Sequence, residues 1–398
     1  MLLAKNFQRK FPARVVPPPP VIESDAPPAS YGTTITSAEM AADLINSTVS
    51  LLTSEHRQQL AVQGYTVVHD VLTTAEVDAA ILGIWQWLAT ITDQVGQDVN
   101  SWPSWTWPYC SGIKGLVQHY GSLTHSQAVW NVRQDPKVAQ VFAELWSVTP
   151  DQLLASFDGV GIQQPPEYTG KYSDPLGSKW HHIDQGSQKQ GLQCVQGFVN
   201  LVETEHSDGC LIVRPGSHLW HQAFHQAFPG HHQDWVLLSK GEQEWYQRQV
   251  APVDQWGQGY GQQSAPVDQW GQGYQRQACS PIRVTAPAGS LVLWDSRLVH
   301  ANATARARPG PKFRLVIYVC MTPRAWATDN DLAKKRKYLL ERRVTNHWPH
   351  QVKPFPKKPN LYGRTTFDRS FAIDQQLLAL PLADTLSLTP LGGHLAGF

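Results

Sequence analysis

Charge and cysteine are both scarce in this 398-residue chain, and each scarcity excludes something. Charged residues make up only 16%, against roughly a quarter in ordinary globular proteins, and the formal net charge is +1. That balance gives no electrostatic reason to expect nucleic acid or an anionic membrane surface as a partner. The 5 cysteines (Cys110, Cys194, Cys210, Cys279 and Cys320) are scattered and form no C-x-x-C pair. A disulfide framework and a zinc knuckle are both disfavoured, and a reducing compartment, the cytoplasm, is the natural location. No apolar run reaches the ~18 residues that a membrane-spanning helix needs. The N-terminus holds Lys5, Arg9, Lys10 and Arg14 with no acid before Glu23, as an organelle import signal would. Pro12 and the run Pro17 to Pro20 would break the amphipathic helix such a signal needs, so a flexible tail is the preferred reading.

What the chain has in abundance is tryptophan, at 16 copies, and a hydrophobic content of 41%. Together they point to a large packed core or an aromatic-lined pocket. Residues 1–35 are rich in proline and read as a disordered or extended tail. The T-S-A-E at Thr36 to Glu39 is a capping box and predicts a short helix through Leu44. Gly64 ends a helix, and the β-branched run after it makes a strand. Thr73 and Glu76 form a second capping box, followed by Val77, Ile81, Ile84, Trp85, Leu88 and Ile91 at helical spacing. Trp102, Trp105, Trp107 and Tyr109 stand among prolines and predict an aromatic loop. Asp135 and Pro136 open a helix to Trp146, and Thr149 with Pro150 opens a shorter one.

From Ser156 onward the pattern changes to short apolar runs separated by Gly, Pro, Asp and Asn turns. Helices first and strands later predict an α+β chain whose β part is a sandwich or barrel. The segment APVDQWGQGY occurs at 251–260 and again at 265–274. Two short copies do not make a repeat architecture, so this reads as a duplicated surface loop, with binding by Trp256 and Trp270 as the alternative.

The chemistry lies in KWHHIDQ. Residues two apart on a strand share a face, so His182 and Asp184 can grip one metal ion. Alone, an H-x-D is weak among 16 histidines. A third ligand must come from elsewhere, and His300, at the end of LVLWDSRLVH, is the best placed. Two imidazoles and one carboxylate on one side of a metal leave the other side open, as non-haem iron(II) oxygenases require. Arg314 opens the run RLVIYV, and its guanidinium fork suits the far carboxylate of a keto diacid. His181 would face the other way on a strand and is read as a non-ligand. TNHWPHQ at 345–351 reads as a surface loop, and 376–398, apolar with glycine, as a segment packing back onto the body.

These motifs carry a resemblance. QGYTVVHDVL, H-I-D, SDGCLIVRPGSH at 207–218, GSLVLWDSRLVHAN at 289–302 and FRLVIYV at 313–319 resemble the phytanoyl-CoA dioxygenase family of Fe(II)/2-oxoglutarate oxygenases. The resemblance implies a double-stranded β-helix, or jelly roll, with flanking helices packed mainly from the N-terminal part. It implies Fe(II) held by His182, Asp184 and His300, with 2-oxoglutarate as cosubstrate and dioxygen as oxidant. Arg314 would bind the distal carboxylate of 2-oxoglutarate, with Asn302 and Phe198 beside it. The stretch ARARPGPK is longer than the family pattern, which leaves Arg306 and Arg308 as competitors for the role of Arg314. The domain would span 36–325, with 219–280 an insertion and 326–398 a C-terminal extension. The implied reaction is hydroxylation of a C–H bond in a small organic substrate, releasing succinate and CO2. A jelly-roll binding protein without catalysis, or a zinc hydrolase using the same triad, are the competing readings.

Overall fold

The computed structural model of the chain describes residues 50–91, 116–117, 119–166, 179–249, 279–306, 312–357 and 369–398. The N-terminal tail, the helix expected from Thr36, the aromatic loop at 102–109, the duplicated segment and Arg308 lie outside the described residues.

Helix α1 (Ser54–Gln63) ends at Gly64, whose φ of 84° is the left-handed value that glycine adopts without strain. Strand β1 (Tyr65–Val68) follows. Helix α2 (Thr74–Ile91) starts at the expected box: the Glu76 amide donates to Thr73 Oγ1 at 3.3 Å and the Thr73 amide to Glu76 Oε2 at 2.7 Å. Val77, Ile81, Ile84, Leu88 and Ile91 are buried along one face. Trp85 is only partly buried and meets Phe313 edge-on. After β2 (Leu116–Val117) come α3 (Gly121–Thr124), α4 (Gln127–Arg133) and α5 (Pro136–Trp146). The amides of Lys137 and Val138 donate to Asp135 Oδ1 at 2.8 and 3.2 Å, the N-cap that the Asp-Pro pair predicts.

The strands then run β3 (Leu153–Ala155), β4 (Val160–Gln163), β5 (His182–Ile183), β6 (Val195–Asn200) and β7 (Cys210–Val213). Helix α6 (His221–Ala227), strand β8 (Val236–Leu237) and helix α7 (Lys240–Arg248) come next. Four strands complete the ladders: β9 (Ile282–Arg283), β10 (Leu291–Asp295), β11 (His300–Ala303) and β12 (Arg314–Tyr318). A six-stranded sheet has the order β1-β10-β6-β12-β4-β2, and a five-stranded sheet the order β8-β5-β11-β7-β9. All their described pairings are antiparallel. The sheets face each other across a shared core of Phe198, Leu211, Val213, Val292, Trp294 and Val316. This is the jelly roll of an α+β protein.

Strand alternation sorts the side chains. On the six-stranded sheet, Val195, Val199, Leu291, Leu293, Leu315 and Ile317 turn outward into one cluster with α2, α4 and α5. The intervening residues, Phe198, Trp294, Arg314 and Tyr318 among them, are left for the interior. Both faces are therefore covered, which is why these strands read as near-continuous apolar runs. On the five-stranded sheet, Ile183, Val236 and Val299 turn outward beneath Phe224 of α6 and Tyr246 of α7. That leaves His182 and His300 facing inward.

The chain closes with β13 (Met321–Pro323), which pairs with β3, and helices α8 (Asp329–Leu340), α9 (Arg369–Ala379) and α10 (Pro390–Leu395). The final segment does pack back: Leu395 and Ala396 are fully buried. The surface-loop expectation for 345–351 is corrected. Thr345, Trp348 and His350 are buried, and Lys189 Nζ lies 3.7 Å over the Trp348 ring. Burying that indole face under a cation keeps the segment in the core.

Helix α9 is held to α3 by Asp374, whose Oδ1 accepts from the Ser122 amide at 3.1 Å and from the Ser122 hydroxyl. Burial nonetheless raises the Asp374 pKa to about 6. The folded chain thus keeps a proton that the unfolded chain, with a value near 3.8, has released over that interval. The contribution of Asp374 to stability should be fullest below about pH 4 and fall by on the order of 2–3 kcal/mol as pH rises through 6. Asp374→Asn should flatten that slope in thermal melts recorded from pH 4 to 8, and an unchanged slope would show that the proton resides elsewhere.

Candidate metal centre

His182 and His300 are direct partners across β5 and β11, so their side chains leave the same face of the five-stranded sheet. Their ring centroids are 4.2 Å apart. Asp184 Oδ1 lies 3.8 Å from His182 Nε2, and Oδ2 lies 3.2 Å from His300 Nε2. One ligand atom from each of the three falls within 4.8 Å of the others. The Nδ1 of His182 is 2.8 Å from the Trp180 carbonyl and that of His300 is 2.9 Å from the Leu298 carbonyl. A carbonyl only accepts, so each Nδ1 carries a proton, which leaves each Nε2 as the atom that would face a metal. Three buried donor atoms converging in this way fit a divalent metal and leave its far side to other ligands.

Burial lowers the pKa of His182 to about 4, and the neighbouring His300 pushes the same way, so the imidazole is neutral at pH 7. Burial alone would raise the pKa of Asp184. The imidazoles of His182, His347 and His300 outweigh it and hold the carboxylate below its ordinary range. Gln196 Nε2 also donates to Asp184 Oδ2 at 2.8 Å. A neutral His182 beside an ionised Asp184 suits metal binding.

Two details of the local backbone differ from the sequence reading. Strand β5 stops at Ile183, so Asp184 is not a strand residue; its amide donates to the Ser296 carbonyl at 3.0 Å. That bond to a neighbouring turn, rather than strand alternation, keeps the carboxylate beside the histidines. His300 opens a strand instead of ending one. The Arg297 amide donates to Asp295 Oδ1 at 2.8 Å, and this Asp-led turn breaks the run between Asp295 and His300. His181 points away as expected, with Nδ1 3.0 Å from Gln243 Oε1.

Arg314 enters from the opposite sheet. It is buried, its guanidinium carbon sits 5.0 Å from the centre of the Phe198 ring, and its Nη2 has no hydrogen-bond partner among the described residues. Arg306, the described competitor, is exposed. Ring contacts link Arg314 to the triad: Phe198 to Trp294 at 5.7 Å, and Trp294 to His300 at 5.4 Å. Asn302 Nδ2 donates to the Tyr318 hydroxyl at 3.3 Å, and Tyr318 meets Phe198 edge-on. An unsatisfied buried guanidinium is costly to keep, and it fits a carboxylate lying between the sheets.

Sequence reasoning missed Gln196, Trp294 and Tyr318. Alternation along their strands, two residues from Phe198, Val292 and Val316 respectively, was the available signal. It also missed His347, whose imidazole helps to lower the pKa of both Asp184 and His182. Nothing in its local sequence marks it.

Tryptophans stand at the edge of the triad. The Trp180 ring lies 4.8 Å and the Trp235 ring 6.0 Å from that of His182. Trp235 is 50% exposed and has a φ of 66°, a left-handed value rare for a bulky residue and costing on the order of 1–3 kcal/mol. Its neighbour fixes the loop: the Gly186 amide donates to Asp234 Oδ1 at 3.2 Å, and Lys189 pairs with Asp234 Oδ2. Strand β8 then pairs Leu237 with His182.

A jelly roll with two imidazoles and a carboxylate on one inner face is the framework of an oxidoreductase. The family model for phytanoyl-CoA dioxygenase matches residues 60–310, and the chain belongs to that family of 2-oxoglutarate-dependent oxygenases. It is 29% identical over 277 residues to Ava biosynthesis cluster protein O of Aspergillus versicolor, covering 67% of this chain and 76% of that one. Among solved structures, it resembles EctD from S. alaskensis with 2-oxoglutarate and 5-hydroxyectoine, at 14% identity and a TM-score of 0.39, covering 78% of this chain and 84% of that one. It also resembles HygX from Streptomyces hygroscopicus with nickel and 2-oxoglutarate, at 13% identity and a TM-score of 0.39, covering 68% and 87%. No helix among the described residues is long and apolar enough to cross a membrane.

Proposed function

We propose that the chain hydroxylates a C–H bond of a small organic substrate, using Fe(II) at His182, Asp184 and His300 and 2-oxoglutarate as cosubstrate. The observation that carries this reading is the convergence of two tautomer-fixed Nε2 atoms on the Asp184 carboxylate. When bound, the iron would activate dioxygen, the four-electron oxidant; two of those electrons would come from 2-oxoglutarate, which leaves as succinate and CO2, and two from the substrate C–H bond. The protein's own contribution is placement. Arg314 donates to the far carboxylate of the keto acid from its unsatisfied Nη2, on the platform of Phe198. Asn302 and Tyr318 provide polar groups along the way, and the Trp294 indole N–H, buried without a hydrogen-bond partner among the described residues, is a further donor. Phe198, Trp294 and Val316 keep the gap dry, which strengthens each of these interactions. A relative named for a biosynthesis cluster supports a small-molecule substrate.

The test is a panel of small organic substrates incubated with protein that has been loaded with iron under argon and then exposed to oxygen. Succinate formation dependent on iron, 2-oxoglutarate and oxygen is expected. Turnover that continues without oxygen would favour a metal hydrolase. Metal binding with no succinate for any substrate, or in its absence, would favour a binding protein.

A further inference from the structure

Three apolar side chains next to the triad are left without a role in metal or keto-acid binding. Leu237 lies directly opposite His182 in the ladder, so its side chain leaves the same face of the sheet, and it is 45% exposed. Trp235 immediately precedes strand β8, and its ring lies beside the ring of His182. Trp180 also packs against the His182 ring. Each indole ring is tilted 48° to the His182 ring, at centroid distances of 4.8 and 6.0 Å. Three apolar side chains, two of them aromatic, thus adjoin His182.

The way Trp235 is held singles it out. Its backbone takes a conformation that a bulky side chain rarely adopts, and both flanks are fixed, by Asp234 on one side and by the β8 pairing on the other. The Ser187 amide adds a bond to the His231 carbonyl at 3.1 Å. Rigid support for an exposed, strained aromatic is the mark of a side chain kept for a ligand. The ligand's chemistry follows from the surface. Two large flat faces gain most from another flat face, whereas an alkyl chain would be served as well by branched aliphatic residues. None of the three side chains carries a charge, so the surface offers nothing to the phosphates of a coenzyme A thioester.

We infer that Trp180, Trp235 and Leu237 form the substrate-binding wall of the site, and that the substrate presents a flat, unsaturated or aromatic ring to it. This rests on the oxygenase reading for what happens to the substrate, but the wall itself can be tested apart from turnover. Full-length protein carrying iron and 2-oxoglutarate under argon is titrated calorimetrically with 2-naphthalenemethanol and with its fully saturated decahydro counterpart. The flat probe should bind roughly ten-fold more tightly, the gain expected from stacking on two indole faces.

Trp235→Gly suits the left-handed backbone and removes the ring, so it should erase most of that preference. Trp235→Phe should restore most of it. Leu237→Asp, at an exposed edge-strand position, should weaken the flat probe by a similar factor. Equal affinity for the two probes in the unaltered protein would overturn the inference, as would a preference that survives both Trp235→Gly and Leu237→Asp. The oxygenase reading fails on a different measurement. If iron binding does not depend on His182, that reading falls while the probe preference can still stand.

Discussion

His182→Ala and Asp184→Ala are each expected to abolish iron-dependent formation of succinate and to weaken metal binding by more than about 100-fold. The floor follows from the neighbouring bonds. Loss of a hydrogen-bond partner to a metal ligand typically costs 10–100-fold in affinity, so loss of a ligand itself must cost more. Gln196→Leu, which removes only the 2.8 Å bond to Asp184 Oδ2, supplies the internal comparison and should fall in the smaller range. The reason for the steep effect is geometric. Two remaining donors cannot enclose a metal whose other positions must stay open to the cosubstrate and oxygen. Metal titration of the folded variants gives the answer directly. A His182→Ala protein that binds iron as well as the unaltered chain would remove the assignment.

Arg314→Ala should raise the KM for 2-oxoglutarate by about 100-fold, the loss of two charge-assisted hydrogen bonds at about 1.5 kcal/mol each. Turnover at saturating cosubstrate should change much less, because the group acts at the end of the keto acid remote from the metal. Stability provides a second reading with a distinctive sign. A guanidinium that served a structural ion pair would leave a weaker fold when removed. Arg314 Nη2 is buried without a hydrogen-bond partner among the described residues, so Arg314→Leu should leave the cosubstrate-free protein as stable or more stable. A clear fall in melting temperature together with an unchanged KM would show that the side chain serves the fold and not the keto acid.

Local signals were legible wherever the physics is local. The Thr73–Glu76 box, the Asp135–Pro136 cap and the αL glycine at 64 satisfy backbone groups within one turn, and each stands where its residues predict. The alternation in LVLWD and RLVIY is partly hidden because both faces of those strands are covered, one by helices and one by the facing sheet. The triad could be proposed from H-x-D and a downstream histidine. What holds it together could not. Asp184 is placed by a bond to Ser296, more than a hundred residues away, and His300 by pairing with His182. The same limit explains 345–351. Its polar composition reads as solvent-facing, yet Trp348 is buried under Lys189 and beside Cys194 and Cys320, whose sulfurs come within 3.2 Å. The cysteines' separation in sequence conceals that closeness. Likewise Trp235 stands just before an edge strand of two residues, too short to leave a periodicity that would mark it.

The triad histidines and Arg314 belong to different sheets. The histidines project from the five-stranded layer and the guanidinium from the six-stranded one, so a molecule that touched both would have to bridge the gap between the layers. Phe198, Val213 and Trp294 act as spacers that set this gap. On the proposed reading, with iron at the triad and the keto acid reaching Arg314, the packing of the core would act as a calliper for cosubstrate length. Trimming a spacer that touches neither end, as in Val213→Ala, should then relax the preference for a five-carbon keto diacid.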